Sequence, residues 1–215
     1  MKISVNNILS NLFMNYPRLQ AITESILTAF DTLSKCYKED KKVLVCGNGG
    51  SASDAEHIVG ELMKGFVLKR QIDEVSKKKI QAAFPEENSY LSAHLQRTLP
   101  AISLVSQSAI CSAFINDVAA DMVYAQQVYG YGHKGDVLIG LSTSGNSSNV
   151  INAVKVAKAL DMKTIGFTGL SGGILHTLCD VTIRVPEAET YKIQELHLPV
   201  YHALCAMLEM EFFEE

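Results

Sequence analysis

The sequence lacks the features that mark secreted, membrane or general nucleic-acid-binding proteins. No apolar run approaches the ~20 residues of a membrane-spanning helix, and polar residues interrupt the apolar positions of segment 1–15, unlike a signal peptide. The 19 Lys and Arg residues are outnumbered by 23 Asp and Glu residues, which gives a formal net charge of −4. Nucleic acid and anionic lipid both require a basic surface. We therefore expect a cytoplasmic protein with neither nucleic acid nor membrane among its partners.

Cysteine is scarce and shows no disulfide pattern. The five cysteines are odd in number, widely separated and mostly within apolar runs: Cys36, Cys46, Cys111, Cys179 and Cys205. This distribution is typical of buried free thiols in a reducing compartment, and we assign no catalytic role to any of them. With 215 residues, of which 47% are hydrophobic, the chain can bury a full core, and we expect a single domain over 1–215.

Hydrophobic patterning predicts strands that alternate with helices. The predicted strands are 41–46, 100–105, 136–141, 163–168 and 180–185. Such alternation predicts an α/β fold with a doubly wound, mainly parallel five-stranded sheet flanked by helices. The last predicted helix, 193–213, contains Pro199, which we expect to kink or restart it.

Two segments lie outside this α/β repeat. Residues 1–40 form a helical extension, with predicted helices at 1–16 and 17–37 that either cover a sheet edge, form a subunit interface or cap the chain internally. Residues 67–99 are polar and helix-prone but lack a sustained apolar face. We interpret them as a surface insertion, which either lies over the functional site or has no functional part.

The strongest motif is a glycine-rich turn between the first strand and its helix. The run Cys46-Gly-Asn-Gly-Gly-Ser51 lets backbone N–H groups approach a ligand closely, and the following helix adds unpaired donors and a positive dipole end. It is neither a P-loop nor a dinucleotide-binding fingerprint. A plain strand-to-helix turn is equally compatible with the glycines alone. His57 and Glu61 favour a site, because their i,i+4 spacing places a base on one helix face beyond the loop.

A second hydroxyl-rich loop follows the third strand. The run Ser142-Thr-Ser-Gly-Asn-Ser147 opens the predicted helix 149–160 and supplies more polar side chains than helix capping requires. In a doubly wound sheet, both loops fall at the carboxyl ends of their strands. The sequence therefore predicts two neighbouring anion-binding loops.

With both loops and the last helix in view, the chain resembles the sugar-isomerase (SIS) domain family, and within it the phosphoheptose isomerases. The matching residues are 46–51, Asp54, His57, Glu61, Asn116, Asp117, 135–138, 142–147, 184–186, 193–195, His197 and His202. The resemblance implies interconversion of sedoheptulose 7-phosphate and glycero-manno-heptose 7-phosphate. It also implies a homo-oligomer, a tetramer in our expectation, whose sites are completed across subunits.

The resemblance further implies roles for individual residues. Glu61 is expected to be the general base and His202 the general acid. Phosphate is expected to bind to Ser142, Thr143, Ser144 and Ser147. The sugar is expected to contact Asn48, Gly49, Gly50, Ser51, Asn116, Asp117 and Gln194. Some family members hold zinc at the positions of His57, Glu61, Gln194 and His202, and such nitrogen and oxygen donors suit zinc.

Two departures from the family pattern leave the substrate open. The segment between Glu61 and Pro100 is longer than in the typical heptose isomerase, and Gly65, with Lys64 beside it, replaces the arginine of the family. An isomerase of another ketose phosphate therefore stays an alternative. A second alternative is a SIS-domain sugar-phosphate sensor or protein-binding scaffold without catalysis.

Overall fold

The computed structural model describes residues 2–214, apart from the side chain of Asn88. The strands are β1 (Val43–Gly47), β2 (Ala101–Ser103), β3 (Val137–Leu141), β4 (Lys163–Thr168) and β5 (Val181–Arg184). The helices are α1 (Ile3–Asn15), α2 (Thr23–Lys38), α3 (Gly50–Met63), α4 (Glu74–Ala83), α5 (Asn88–His94), α6 (Ser108–Asp117), α7 (Val123–Tyr131), α8 (Ser148–Ala159), α9 (Gly173–Leu178) and α10 (Thr190–Phe213). Short 3₁₀ turns at Pro17–Ile22 and Ala120–Met122 precede α2 and α7.

The five strands form one parallel sheet in the order β2-β1-β3-β4-β5. The central strands β1 and β3 are buried along their whole length, as their uninterrupted apolar runs predict. The chain passes from β1 to one neighbour and returns to β3 on the other side. This change of direction opens a crevice at the carboxyl ends of β1 and β3. The predicted doubly wound α/β sheet is confirmed.

Helices cover both faces of the sheet. One apolar cluster packs α1, α2, α3 and α10 on one face, and a second packs α7 and α8 on the other. The N-terminal helices therefore belong to the core, since α1 packs on α10 and α2 packs on α10 and β5. None of the helices in the described range 2–214 has the length and apolar character needed to cross a membrane.

Two helix predictions are wrong in detail. The second predicted helix starts as a 3₁₀ turn, and α2 begins only at Thr23, because the tighter turn places Leu19 in the core without exposed surface. Helix α10 neither stops nor restarts at Pro199. Residues on both sides of Pro199, including His197 and Val200, are buried, so packing of the helix outweighs the one backbone hydrogen bond that proline removes.

The insertion forms a helical hairpin whose helices, α4 and α5, pack chiefly against each other. Its base is closed by an isolated bridge between Gln71 and Gln96 and by the Arg97 N–H, which donates to the Arg70 carbonyl at 2.7 Å. The helices themselves carry no buried residue among those with described side chains. The prediction of a surface segment is wrong at its ends, because Arg70, Ile72 and Leu99 are buried.

A buried ion pair joins the insertion to α10. The Glu209 carboxylate accepts hydrogen bonds from Arg70 Nε at 2.7 Å and from the backbone N–H groups of residues 66–68 at 2.6 to 3.0 Å. Arg70 also donates to the carbonyls of Glu61 and Leu62, in the last turn of α3, at 3.0 and 2.6 Å. Neither charged side chain has exposed surface. Burial raises the pKa of Glu209, but these hydrogen bonds outweigh burial and hold the pKa below its ordinary value.

We expect Arg70→Met to lower the free energy of unfolding by ~3–5 kcal/mol, because it leaves the Glu209 charge buried without its partner. Urea unfolding measures the change. The matched control is Lys35→Met, which removes an exposed pair with Glu39 at 3.9 Å and should change stability by less than about 1 kcal/mol. Equal effects of the two substitutions would contradict a dominant role for the buried pair.

Candidate active site

The glycine-rich turn between β1 and α3 lies at the crevice of the sheet. Gly50 opens α3, and the side chain of Gln194 from α10 lies against it, so that a Cβ at residue 50 would stand 2.7 Å from Gln194 Nε2. Within the described residues, no side chain caps the N-terminus of α3. The N–H groups of Ser51 and Ala52 donate to the carbonyls of Asn48 and Gly49 at 3.0 Å each, so among the described contacts the N–H of Gly50 is the one left for a ligand beside Gln194.

Asn48 connects this turn to the second loop. Its side-chain amide exchanges two hydrogen bonds, both of 2.9 Å, with that of Asn149 in the first turn of α8. The Tyr124 hydroxyl donates to the Gly47 carbonyl at 2.7 Å and lies 3.3 Å from Asn48 Oδ1. The two predicted loops are therefore neighbours. Sequence reasoning missed Asn149 and Tyr124, although an amide in the first turn of a predicted helix was a usable signal.

Helices α3 and α10 bring His57, Glu61 and His202 together, whereas Gln194, the fourth predicted metal-binding residue, lies against Gly50. His57 Nε2 lies 3.2 Å from Glu61 Oε1 and 3.3 Å from His202 Nε2. The Glu61 side chain is only 12% exposed, whereas that of His57 is 43% exposed. Lys64 Nζ lies 3.4 Å from the other carboxylate oxygen of Glu61. A shielded carboxylate thus stands between an imidazole and an ammonium group, which is an arrangement suited to moving protons.

Aromatic rings hold His202 in place. The centroid of its ring lies 4.8 Å from that of His57, 4.9 Å from that of Tyr201 and 5.5 Å from that of Phe66. Burial lowers the pKa of His202 and the charge of His57 lowers it further, while Glu61 raises it. The net lowering favours a neutral ring near pH 7, which can either exchange a proton or bind a metal.

The donor atoms of this cluster suit a zinc ion. Zinc bonds of 2.0–2.1 Å in a tetrahedral site place donor atoms ~3.4 Å apart, close to the 3.2 and 3.3 Å measured around His57 Nε2. Among the described residues, however, no three or more His, Cys, Asp or Glu side chains form a ready-made metal site. The donor types and the two distances around His57 Nε2 therefore fit zinc, whereas the described residues as they stand do not form a complete metal site.

The second loop offers hydroxyl groups beside a cavity. Thr143 and Ser144 line a cavity of about 400 Å³ together with Asn146, Ser171 and Thr190. Gly145 has a φ of +68° and lies against the Gly172 backbone, where a Cβ would clash. Ser147, the N-cap residue of α8, makes no side-chain cap bond, and the N–H of Val150 donates to Asn149 Oδ1 at 3.0 Å. Among the described contacts, the N–H groups of Ser148 and Asn149 are left without a partner in the first turn. This geometry suits a phosphate.

The other predicted residues of these loops have different surroundings. Ser142 and Ser147 bond to each other through their hydroxyl groups at 2.8 Å rather than lining the cavity. Asn116 and Asp117 lie at the exposed end of α6, where the Asn116 amide donates to Asp117 at 2.7 Å. The structure therefore places Thr143 and Ser144 best for an anion, and it leaves Asn116 and Asp117 at the surface of the chain.

The remaining histidines are structural or exposed. His94, His133 and His176 are exposed. His197 has no exposed surface, and its Nε2 lies 3.2 Å from the Thr168 carbonyl at the end of β4. Burial lowers the pKa of His197 to about 4, although the Thr168 carbonyl acts in the opposite direction. The ring is therefore neutral and buried, and it packs in the core.

Comparison with known proteins is consistent with this geometry. Residues 16–76 and 76–169 match a family model described as the SIS domain. The phosphoheptose isomerase of Nitratiruptor sp. is 40% identical over 187 residues, which cover 87% of this chain and 86% of that protein. That of Aliarcobacter butzleri is 37% identical over 193 residues, with 90% and 88% coverage.

Solved structures give the same result. The phosphoheptose isomerase of Neisseria gonorrhoeae matches with a TM-score of 0.70 and 33% identity, covering 94% of this chain and 95% of that chain. The phosphoheptose isomerase of Francisella tularensis matches with a TM-score of 0.72 and 28% identity, covering 98% and 100%. The fold therefore matches those structures over nearly the whole length of the chain.

The lowered pKa of His197 predicts acid sensitivity. The unfolded chain takes up this proton near pH 6.5, whereas the folded protein takes it up only near pH 4. The contribution of the neutral His197 ring to the free energy of unfolding is therefore complete above about pH 6.5. As the pH falls from there toward pH 4, it decreases by up to about 1.4 kcal/mol per pH unit. His197→Gln keeps a donor for Thr168 but does not titrate. Urea unfolding from about pH 7 to pH 5 should be less pH-dependent in this variant, and equal slopes would contradict the assignment.

Proposed function

The chain belongs to the SIS domain family, and we propose that it is a phosphoheptose isomerase that interconverts sedoheptulose 7-phosphate and D-glycero-D-manno-heptose 7-phosphate. The observation that carries this proposal is the cluster of His57, Glu61 and His202 between α3 and α10. The Asn48–Asn149 amide pair links the glycine-rich turn before α3 to the hydroxyl-rich loop. The relatives of similar length that bear the name phosphoheptose isomerase support the same reaction.

The reaction moves a proton between two neighbouring carbons of the sugar. We assign to Glu61 the removal of the proton from C1 of the ketose, beside the C2 carbonyl, because its side chain is largely shielded from water. His202 gives a proton to the carbonyl oxygen, which yields an enediol. Glu61 then returns its proton to C2, and His202 takes up the proton of O1, which gives the aldose and restores both side chains. The low exposure of Glu61 favours its action as a base, because few water molecules compete for the carboxylate.

The phosphate is assigned to the second loop. Thr143 and Ser144 supply hydroxyl groups at the cavity, and the first turn of α8 supplies N–H groups and the positive end of its dipole. Local donors of this kind bind an anion even though the net charge of the chain is −4. The sugar then extends from this loop, past Asn48 to Gly50, toward Glu61.

Zinc is a proposed cofactor of the cluster. His57, Glu61, Gln194 and His202 would hold it through two imidazole nitrogens and two oxygen donors. When bound, zinc supplies Lewis-acid polarisation of the carbonyl and hydroxyl oxygens of the sugar. Glu61 shares its second oxygen with Lys64, so a cation already neutralises part of the carboxylate charge.

An isomerase of another ketose phosphate is the second candidate, and Lys64 favours it. The ammonium group lies 3.4 Å from Glu61 where the family resemblance places an arginine one residue later. A shorter cation beside the base changes the space available to the sugar. A screen of five-, six- and seven-carbon ketose phosphates, with and without zinc, distinguishes these substrates. Absence of turnover on all of them would instead favour the sensor or scaffold alternative.

We also propose a homotetramer that acts in the cytoplasm. Large apolar side chains are exposed on the outer sides of several helices, namely Ile3, Met14, Ile115, Val118 and Tyr129. Such surface is typical of an interface between copies of a chain. All five cysteines are free thiols, which favours a reducing compartment.

We expect Glu61→Gln to lower turnover by at least ~10²-fold, because the amide keeps the shape of the side chain but cannot accept a proton. The wild type should also incorporate solvent deuterium at the carbon beside the carbonyl, and the variant should not. Glu39→Gln, at the exposed residue that follows α2, is the matched control. Deuterium exchange at the wild-type rate in Glu61→Gln would show that another group is the base.

The double substitution Thr143→Val with Ser144→Ala is expected to raise KM more than it lowers kcat, since the phosphate is remote from the reacting carbons. Steady-state kinetics on sedoheptulose 7-phosphate give both parameters. Ser112→Ala is the control, because that hydroxyl is exposed and bonds only to carbonyls of its own helix among the described contacts. A large fall in kcat at constant KM would reject the assignment of the loop.

We expect a tetramer at micromolar protein concentration, because the exposed apolar residues of α1, α6 and α7 remain uncovered in the single chain. Light scattering coupled to size-exclusion chromatography measures the mass directly. Val118→Glu places a charge in this surface and should shift the mass toward smaller species. A monomeric wild type would exclude the proposed assembly.

A further inference from the structure

The hydroxyl group of Tyr201 lies between two polar groups of α3. Tyr201 is only 2% exposed. Its hydroxyl oxygen is 3.1 Å from Asp54 Oδ1 and 3.0 Å from His57 Nδ1. The second oxygen of Asp54 is buried and has no hydrogen-bond partner among the described residues. The proton transfers assigned to Glu61 and His202 use neither Tyr201 nor Asp54, so this contact requires its own explanation.

The Tyr201 hydroxyl has one proton and two polar neighbours, so the chemistry of the neighbours decides to which of them it donates. An ionised carboxylate only accepts hydrogen bonds, so the Tyr201 proton points to Asp54. A phenol hydroxyl, with an ordinary pKa of about 10, keeps its proton near neutral pH. The hydroxyl oxygen then accepts from His57, which requires a hydrogen on His57 Nδ1.

This hydrogen decides what the other nitrogen of the ring presents to the cluster. In a neutral His57 with hydrogen on Nδ1, the lone pair of Nε2 accepts a hydrogen bond from His202 Nε2 at 3.3 Å, and Glu61 Oε1, at 3.2 Å, is a second acceptor beside it. In a charged ring, Nε2 carries the second hydrogen and donates it to Glu61. In both states His57 Nδ1 keeps its hydrogen and donates it to the Tyr201 oxygen. Any proton that is exchanged, or any cation that is bound, is therefore located at Nε2.

We propose that Tyr201 and Asp54 are positioning residues that hold His57 with its hydrogen on Nδ1, so that Nε2 is the nitrogen available to the cluster. The role in catalysis rests on the isomerase function proposed above, whereas the position of the hydrogen is a property of the resting protein. Some residues orient a metal-binding or catalytic imidazole through a hydrogen bond to its other nitrogen. Their removal lowers metal affinity or activity by about 10- to 100-fold.

Nuclear magnetic resonance of protein labelled with ¹⁵N in histidine only reads the position of the hydrogen directly. The spectrum is recorded near pH 8, above the ordinary histidine pKa of about 6.5. His57→Gln identifies the His57 signals by their loss. We expect hydrogen on Nδ1, alone or together with Nε2. A His57 ring with hydrogen on Nε2 alone would overturn the proposal.

Two variants test the contacts that hold the ring. Tyr201→Phe removes only the hydroxyl, and we expect a His57 population with hydrogen on Nε2 to appear. Asp54→Leu removes the acceptor, which frees the Tyr201 proton to donate to Nδ1 and should produce the same change. Tyr37→Phe is the matched control, because it removes another buried hydroxyl that has no partner among the described residues.

Zinc affinity and kinetics complete the test. We expect Tyr201→Phe to lower zinc affinity, measured by competition with a chromophoric chelator, and kcat on sedoheptulose 7-phosphate by about 10- to 100-fold, with a smaller change in KM. A variant that matches Tyr37→Phe in ring spectrum, zinc affinity and kcat would overturn the proposal. A wild type without isomerase activity but with hydrogen on Nδ1 would reject the proposed function alone.

Discussion

The buried pair between Arg70 and Glu209 is the interaction on which the geometry of the site most depends. A carboxylate withdrawn from water needs hydrogen-bond donors for both oxygens, and here the loop after α3 and Arg70 supply them. Arg70 in turn bonds to the last carbonyls of α3. The helix that carries Glu61 is thereby fixed to the helix that carries His202. The distances between His57, Glu61 and His202 therefore depend on the Arg70–Glu209 ion pair, to which we assign no contact with the sugar.

The parts of the structure that follow from local rules were predictable from the sequence. Alternating apolar runs and helical segments determine a parallel α/β sheet, and the carboxyl ends of its central strands meet at one crevice. The glycine-rich and hydroxyl-rich loops therefore had to become neighbours, as the Asn48–Asn149 pair shows. The contact between His57 and Glu61 follows from i,i+4 spacing alone.

Contacts between α3 and α10 could not be predicted in this way, because they join residues far apart in the chain. His57 and His202 are 145 positions apart, and Tyr201 and Asp54 are 147 apart. Only the family resemblance brought His202 into the site, and no local signal indicated the Tyr201 hydroxyl. Pro199 shows the opposite failure, because a local rule predicted a kink or a restart, whereas α10 continues through Pro199 with buried residues on both sides.

The two ends of the helical hairpin meet at its base, so the hairpin can be altered without moving the rest of the domain. The chain leaves the domain at Arg70 and returns at Arg97, and the backbone hydrogen bond between them measures 2.7 Å. Because the exit and return points coincide, the entropy of closing the intervening loop grows only slowly with its length. We therefore expect changes of length within α4 and α5, which carry no buried residue among the described side chains, to leave Glu61 in place as long as Ile72 and Gln96 keep their contacts with the domain. The hairpin is therefore a position at which protein engineers can insert a reporter or a binding module.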